Sequence, residues 1–259
     1  MIEYALPEKQ FYMSLTEEAH ELAANSGWLP VRQEVESTIQ RALRYPFGAS
    51  SIDPFKDTEA GRTARIVHHL SRTGERLLGL PVTVKGTGVN PAYADQITGR
   101  RMNLKDQFTL MHEAYSAQQA TCPDGIDGIL HVNRPLAYIV HPSKRKIDPR
   151  PQEWLLMDRV VGGIPVKEQW VVLNNGRTGW AFEQSVYPDL AALATNGLRN
   201  SFSQSGLVNF RNVRKRLIDS LRPNTSLYNV RDVTGHNILQ QTLPNGSHKY
   251  TIIDLQKAT

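Results

Sequence analysis

The 259-residue sequence predicts an α+β fold, and three observations carry that reading. Helical periodicity dominates the first hundred residues, short runs rich in Val, Trp and Tyr follow from about residue 129, and helical patterns return near 189. A content of 40% hydrophobic and 21% charged residues is ordinary for a folded globular chain. The length suits two modest domains, a helical module over 1–90 and a mixed module over 96–259 with a small antiparallel sheet and C-terminal helices.

The elements follow in order. Ser14 and Glu17 have capping-box spacing ahead of Leu15, Ala19, Leu22 and Ala23, and Gly27 closes that helix. Pro30 opens a second helix, with Val31, Val35, Ile39 and Leu43 on one stripe, which stops at Tyr45-Pro46. A third helix is expected from about Glu59 to Leu78, and residues 80–99, rich in Gly, Pro and Thr, read as a linker. Asn103 and Asp106 open another helix, which carries Leu104, Phe108, Met111 and Tyr115. Strands are predicted at Leu136–Val140, Trp154–Val161, Val166–Leu173 and Gly179–Tyr187, with a hairpin turn at Asn174-Asn175-Gly176. Helices are predicted at Asp189–Phe202, Val208–Leu221 and about Leu227–Val233.

The net charge of +5 is unevenly placed: residues 200–259 hold eight Lys and Arg against three Asp and no Glu, which leaves residues 1–199 formally neutral. Such a field favours an anionic partner, nucleic acid before lipid, although a solvated basic helix would give the same count. One cysteine, Cys122, excludes an internal disulfide, so a reducing compartment such as the cytoplasm is expected. No secretory signal is read at the N-terminus, and no run approaches the ~20 apolar residues of a membrane span.

The C-terminal stretch orders guanidinium, imidazole and phenol groups: Arg211, Arg214, His236 and Tyr250. Arginines can hold the oxygens of a phosphate diester while a tyrosine attacks its phosphorus. This segment resembles the catalytic end of the tyrosine recombinase (phage integrase) family. There a His-x-x-Arg helix is followed, a little over twenty residues later, by Gly-His and then by a helix bearing the nucleophilic tyrosine. Arg214 and His236 are 22 apart, and Leu227 to His236 is similar to the helix leading into Gly-His. Arg211 stands where that family has histidine, and Pro244-Asn245-Gly246 forms an inserted turn before Tyr250.

The resemblance implies Tyr250 as nucleophile and Arg101, in Thr98-Gly99-Arg100-Arg101, as the first arginine. Lys146 or Lys144 would be the catalytic lysine. The product would be a 3′-phosphotyrosine link made without metal or other cofactor. It also implies duplex DNA as partner, clamped between modules and met by a homo-oligomer, with Arg62, Arg65, Arg72, Arg76, Lys215, Arg216 and Arg231 against phosphates. A non-catalytic DNA-binding look-alike is the alternative. The same residues also have a structural reading, in which Tyr250 packs at a sheet edge, His236 caps a helix and the arginines are solvated.

A second resemblance points to a protein-binding module. Trp170 through Trp180 is similar to the Trp…Asn-Gly-x-x-Gly-Trp hairpin of bacterial SH3-like modules, which places an SH3-like hairpin over 166–187 with both tryptophans lining a peptide groove. Other chemistry is not expected. His112-Glu113 lacks the second histidine of a zinc helix, Cys122 has no identifiable base, and Gly86-Thr87-Gly88 is not followed by the Gly-Lys-Ser/Thr of a P-loop NTPase.

Overall fold

The computed structural model of the chain describes residues 2–6, 11–24, 71–76, 78–86, 104–141, 152–172, 178–196, 202–203, 206–221, 230–231 and 233–257. Among the described residues, α-helices and several largely antiparallel sheets make the fold α+β, as the sequence predicts. The chain divides into two compact units, Met1–Phe108 with Pro135–Arg159, and Thr109–Arg134 with Val160–Thr259. The expected helix at Val31–Leu43, residues 59–70 and the turn at 174–176 lie outside the described residues.

The first unit is built on a five-stranded antiparallel sheet; two of its strands, at 135–141 and 152–158, fall where the sequence predicts strands, and the other three where it predicts helices or a linker. Its strands are β1 (Ile2–Leu6), β2 (Phe11–Leu15), β3 (Val82–Gly86), β5 (Pro135–His141) and β6 (Gln152–Asp158), in the order β1-β2-β5-β6-β3. β3 falls in the expected linker. Val82 and Val84 alternate into the core there, and Ser71 Oγ donates to the Val82 carbonyl at 2.5 Å. Ser14 belongs to β2, paired with Glu3 and Tyr138, so the first helix starts later than its capping-box spacing suggests. That helix, α1 (Glu17–Ala24), is capped by Thr16, whose Oγ1 accepts the Ala19 N–H at 3.2 Å.

The second unit takes in helix α2 (Leu104–Thr121) from Thr109 onward; β4 (Leu130–Val132) follows, and the Val132 N–H donates to Gln118 Oε1 at 2.6 Å, which ties the two together. One sheet holds β7 (Ile164–Pro165), β13 (Ile238–Thr242) and β14 (His248–Ile252) with β4, in the order β4-β14-β13-β7. The other holds β8 (Gln169–Val172), β9 (Thr178–Glu183), β10 (Phe202–Ser203) and β11 (Leu207–Asn209), in the order β10-β11-β9-β8. Helices α3 (Pro188–Thr195) and α4 (Phe210–Leu221) pack on each other. The expected helix at Leu227–Val233 is instead, at Val230–Arg231, strand β12, paired with β15 (Gln256–Lys257).

Helix α4 shows how the sequence positions a cationic edge. Phe210, Val213, Leu217, Ile218 and Leu221 recur at helical spacing and are buried, each contributing about 1.5–3 kcal/mol of apolar transfer. The Phe210 ring meets Phe182 of β9 at 4.9 Å between centroids. Asn209 ends β11 and accepts the Arg211 N–H on its Oδ1 at 2.8 Å, so strand passes into helix without a loop. Among the described residues no helix is long and apolar enough to cross a membrane.

Candidate functional site

The structure places Tyr250 in the core. Tyr250 lies on strand β14, not on a helix, and is 0% exposed. Its hydroxyl accepts from Gln240 Nε2 at 3.2 Å. Burial, with the Asp189 charge, pushes its pKa up to about 12. A nucleophilic phenol needs access to substrate and a lowered pKa, and Tyr250 has neither. Arg101, Lys144, Lys146, Arg62 and Arg65 lie outside the described residues, as does the side chain of Arg231. Arg72 and Arg76 are exposed on the helical residues 71–76.

Two of the expected phosphate contacts are already ion-paired. Lys215 bridges to Asp219 one turn along α4. Arg216 forms a two-point pair with Asp127 at 3.0 and 2.5 Å, and this hydrogen bonding holds its guanidinium more firmly protonated. The inserted turn is a turn: Gly246 has φ +81° and joins β13 to β14, with its N–H on the Leu243 carbonyl.

The second unit instead carries two neighbouring features. The first is a cleft of about 440 Å³ lined by Trp170 and Trp180 of the β8–β9 hairpin and by Asn209, Arg211 and Arg214 at the start of α4. Cross-strand pairing sets Trp170 against Trp180, with ring centroids 4.9 Å apart at 73°. Both rings are open to solvent, at 56% and 38% exposure. Across the cleft, Asn209 is 7% exposed and its Nδ2 has no hydrogen-bond partner. The buried Nε of Arg214 also has none. Val233 and Thr234 complete the wall.

The second feature is the open end of the β13–β14 hairpin. The pairing Ile238↔Ile252 brings Asn237 beside Ile253, whose N–H donates to the Asn237 carbonyl at 2.9 Å. Asp254 follows directly. Asn237 and Asp254 are 6% and 8% exposed, so a carboxamide and a carboxylate are held in the interior where the hairpin ends. Each has a partner within the protein. A 3-10 turn, Gly235–Asn237, delivers Asn237. Glu168 pins it: Oε2 accepts the Gly235 N–H at 2.5 Å, and Oε1 accepts from His236 Nδ1 at 2.9 Å. A side chain at Gly235 would collide with the Val166 carbonyl oxygen and Glu168, so only glycine allows this approach. His236 thus braces the turn through Glu168.

Sequence reasoning passed over Asn237 and Asp254. The available signal was Asp232 standing five residues before Asn237, then a hairpin, then an apolar Ile252-Ile253 leading into Asp254. No family model, no curated protein and no solved structure matches this chain.

Proposed function

We propose that the second unit carries a phosphoryl-transfer site of the protein-kinase kind, which moves the γ-phosphate of a nucleoside triphosphate to a hydroxyl acceptor. The observation that carries this is the juxtaposition of buried Asn237 and Asp254 at the open end of one hairpin. In kinases a catalytic-loop Asn and an Asp after the following strand hold Mg²⁺, and the catalytic Asp precedes that Asn by five residues. Val230-Arg231-Asp232 through Asn237 is similar to that loop, with Val230 in place of histidine, and Asp254-Leu255-Gln256 stands for Asp-Phe-Gly. Asp232 itself lies outside the described residues.

The donor set fits a hard cation: one carboxylate and one carboxamide, both taken out of water. Among the described residues there is no cluster of three or more His, Cys, Asp or Glu, which is compatible with Mg²⁺ whose shell nucleotide phosphates complete. When bound, the ion neutralises charge on the phosphate chain. Asp254 and Asn237 would hold it, and Glu168 keeps the Asn237 turn in place. The acceptor oxygen bonds to the γ-phosphorus as the bridging P–O bond breaks, the proton passes to Asp232, and the nucleoside diphosphate leaves.

The test is Mg²⁺-dependent nucleotide binding and turnover by the chain, beside an Asp254→Asn variant. The expected result is Mg²⁺-dependent ATP binding that Asp254→Asn weakens, with phosphoryl transfer reduced by about 10³-fold or more. Wild-type chain that ignores Mg²⁺-ATP, or an Asp254→Asn variant as active as wild type, would overturn the reading. Phosphotyrosine recombination is decided in the same preparation. A nicked-strand suicide substrate that traps a covalent adduct on Tyr250 would restore it, and the burial of that phenol predicts none.

A further inference from the structure

We propose that the cleft between the β8–β9 hairpin and the start of α4 is a binding site for a small organic phosphate carrying a flat ring. The argument starts with donors that have nothing to donate to. Asn209, a residue of the cleft wall, spends its Oδ1 on the Arg211 N–H, which fixes the carboxamide and leaves its Nδ2 buried and unpartnered. Arg214 has its Nε buried without a partner, although a hydrogen bond left unmade in the interior is costly. Arg211 adds a second guanidinium, and Arg216 and Lys215 are already committed to Asp127 and Asp219. Two cations and an amide donor at the N-terminal end of a twelve-residue helix specify an anion with several acceptor oxygens.

The opposite wall specifies the rest of the ligand. Trp170 and Trp180 present open indole surface to a cleft whose volume lies in the small-molecule range. Indole faces bind flat rings by stacking and apolar contact. Phosphate at Asn209, Arg211 and Arg214, with a ring at the tryptophans, fills both walls at once. The ligand's role as acceptor rests on the phosphotransferase reading: Val233 and Thr234, next in sequence to Asp232, line this same cleft. Binding itself does not depend on that reading.

The experiment titrates the full chain by calorimetry with inorganic phosphate, phenyl phosphate and benzyl alcohol, and repeats the series on Arg214→Met and Trp180→Ala. Phenyl phosphate is expected to bind about tenfold or more tighter than inorganic phosphate, and benzyl alcohol not measurably. Arg214→Met should weaken both anions by about tenfold or more, whereas Trp180→Ala should remove only the advantage of the ring. Equal affinity for phenyl and inorganic phosphate, or an Arg214→Met variant that binds like wild type, would overturn the assignment. Displacement of phenyl phosphate by an oligothymidylate at a lower concentration than phenyl phosphate itself would also overturn it, in favour of nucleic acid. Cleft binding without Mg²⁺-ATP binding would remove the acceptor role and the phosphotransferase reading together, and leave the ligand site standing.

Discussion

The second unit holds two aromatic-bearing hairpins, β8–β9 and β13–β14, that treat their rings in opposite ways. Trp170 and Trp180 stand opposite each other, open to solvent, on the edge pair of their sheet, whereas Phe182 two residues on from Trp180 packs against Phe210 of α4. Tyr250 lies on β14, flanked by β4 and β13, and is wholly buried. In the first hairpin the rings line a cleft. In the second the ring is core, and the polar groups Asn237 and Asp254 stand at the hairpin's open end. A tyrosine or tryptophan on a hairpin therefore says little about function until its strand's neighbours are known.

Truncation of the buried ring should break this contrast most forcefully. Tyr250→Ala removes a fully enclosed aromatic and orphans the Gln240 amide, so a loss of about 3–5 kcal/mol is expected in urea unfolding. A loss under about 1 kcal/mol would mean that Tyr250 is not core and would reopen its reading as a reactive group.

Which parts of this were legible in the sequence follows from how local each signal is. The helix over 104–121, the strand at Leu136–Val140 and the apolar stripe of α4 are periodic within one element, and the structure matches them. The Trp170–Trp180 pairing was also within reach, since each residue stands five from Asn175 and a central turn fixes the register. Strand β3 was hidden because Gly, Pro and Thr around Val82 and Val84 outweighed two alternating valines. The recombinase resemblance implies a helix at Tyr250, although Tyr-Thr-Ile-Ile is strand-like by composition and the structure makes it β14. Asn237 and Asp254, seventeen residues apart, meet only through the Ile238↔Ile252 pairing. Arg214 reaches the tryptophans only because β11 pairs with β9 and runs directly into α4.

Acid should sharpen the comparison at the buried sheet. His131 of β4, paired with Thr251 of β14, has its pKa lowered to about 4 by burial, with repulsion from Lys249 outweighing attraction from Asp124. Gln118 contacts its Nδ1 at 3.3 Å. The unfolded chain takes up a proton near pH ~6.5 and the folded chain only near 4, so stability is full above 6.5 and falls as pH drops towards 4. After allowance for solvent screening, the expected loss is about 2 kcal/mol. Urea midpoints across pH 4–7 should show that slope in wild type and a shallower one in His131→Gln. Equal slopes would show that another group carries the acid sensitivity.

The smallest effect belongs to the exposed hairpin. Trp180→Ala gives up a T-shaped contact with Trp170, worth about 1 kcal/mol beyond area burial, and the covered part of a ring that is 38% exposed, so its loss should stay below that of the fully buried Tyr250. The strand should survive the change, since the backbone pairing with β8 and β11 does not depend on the indole, and Phe182 anchors the same face beneath α4. Urea unfolding should therefore rank the loss in Trp180→Ala below that in Tyr250→Ala. If the two losses were equal, Trp180 would be serving the core of the folded chain, and the open indole wall would have to be read as incomplete packing instead of a surface kept free for a ligand.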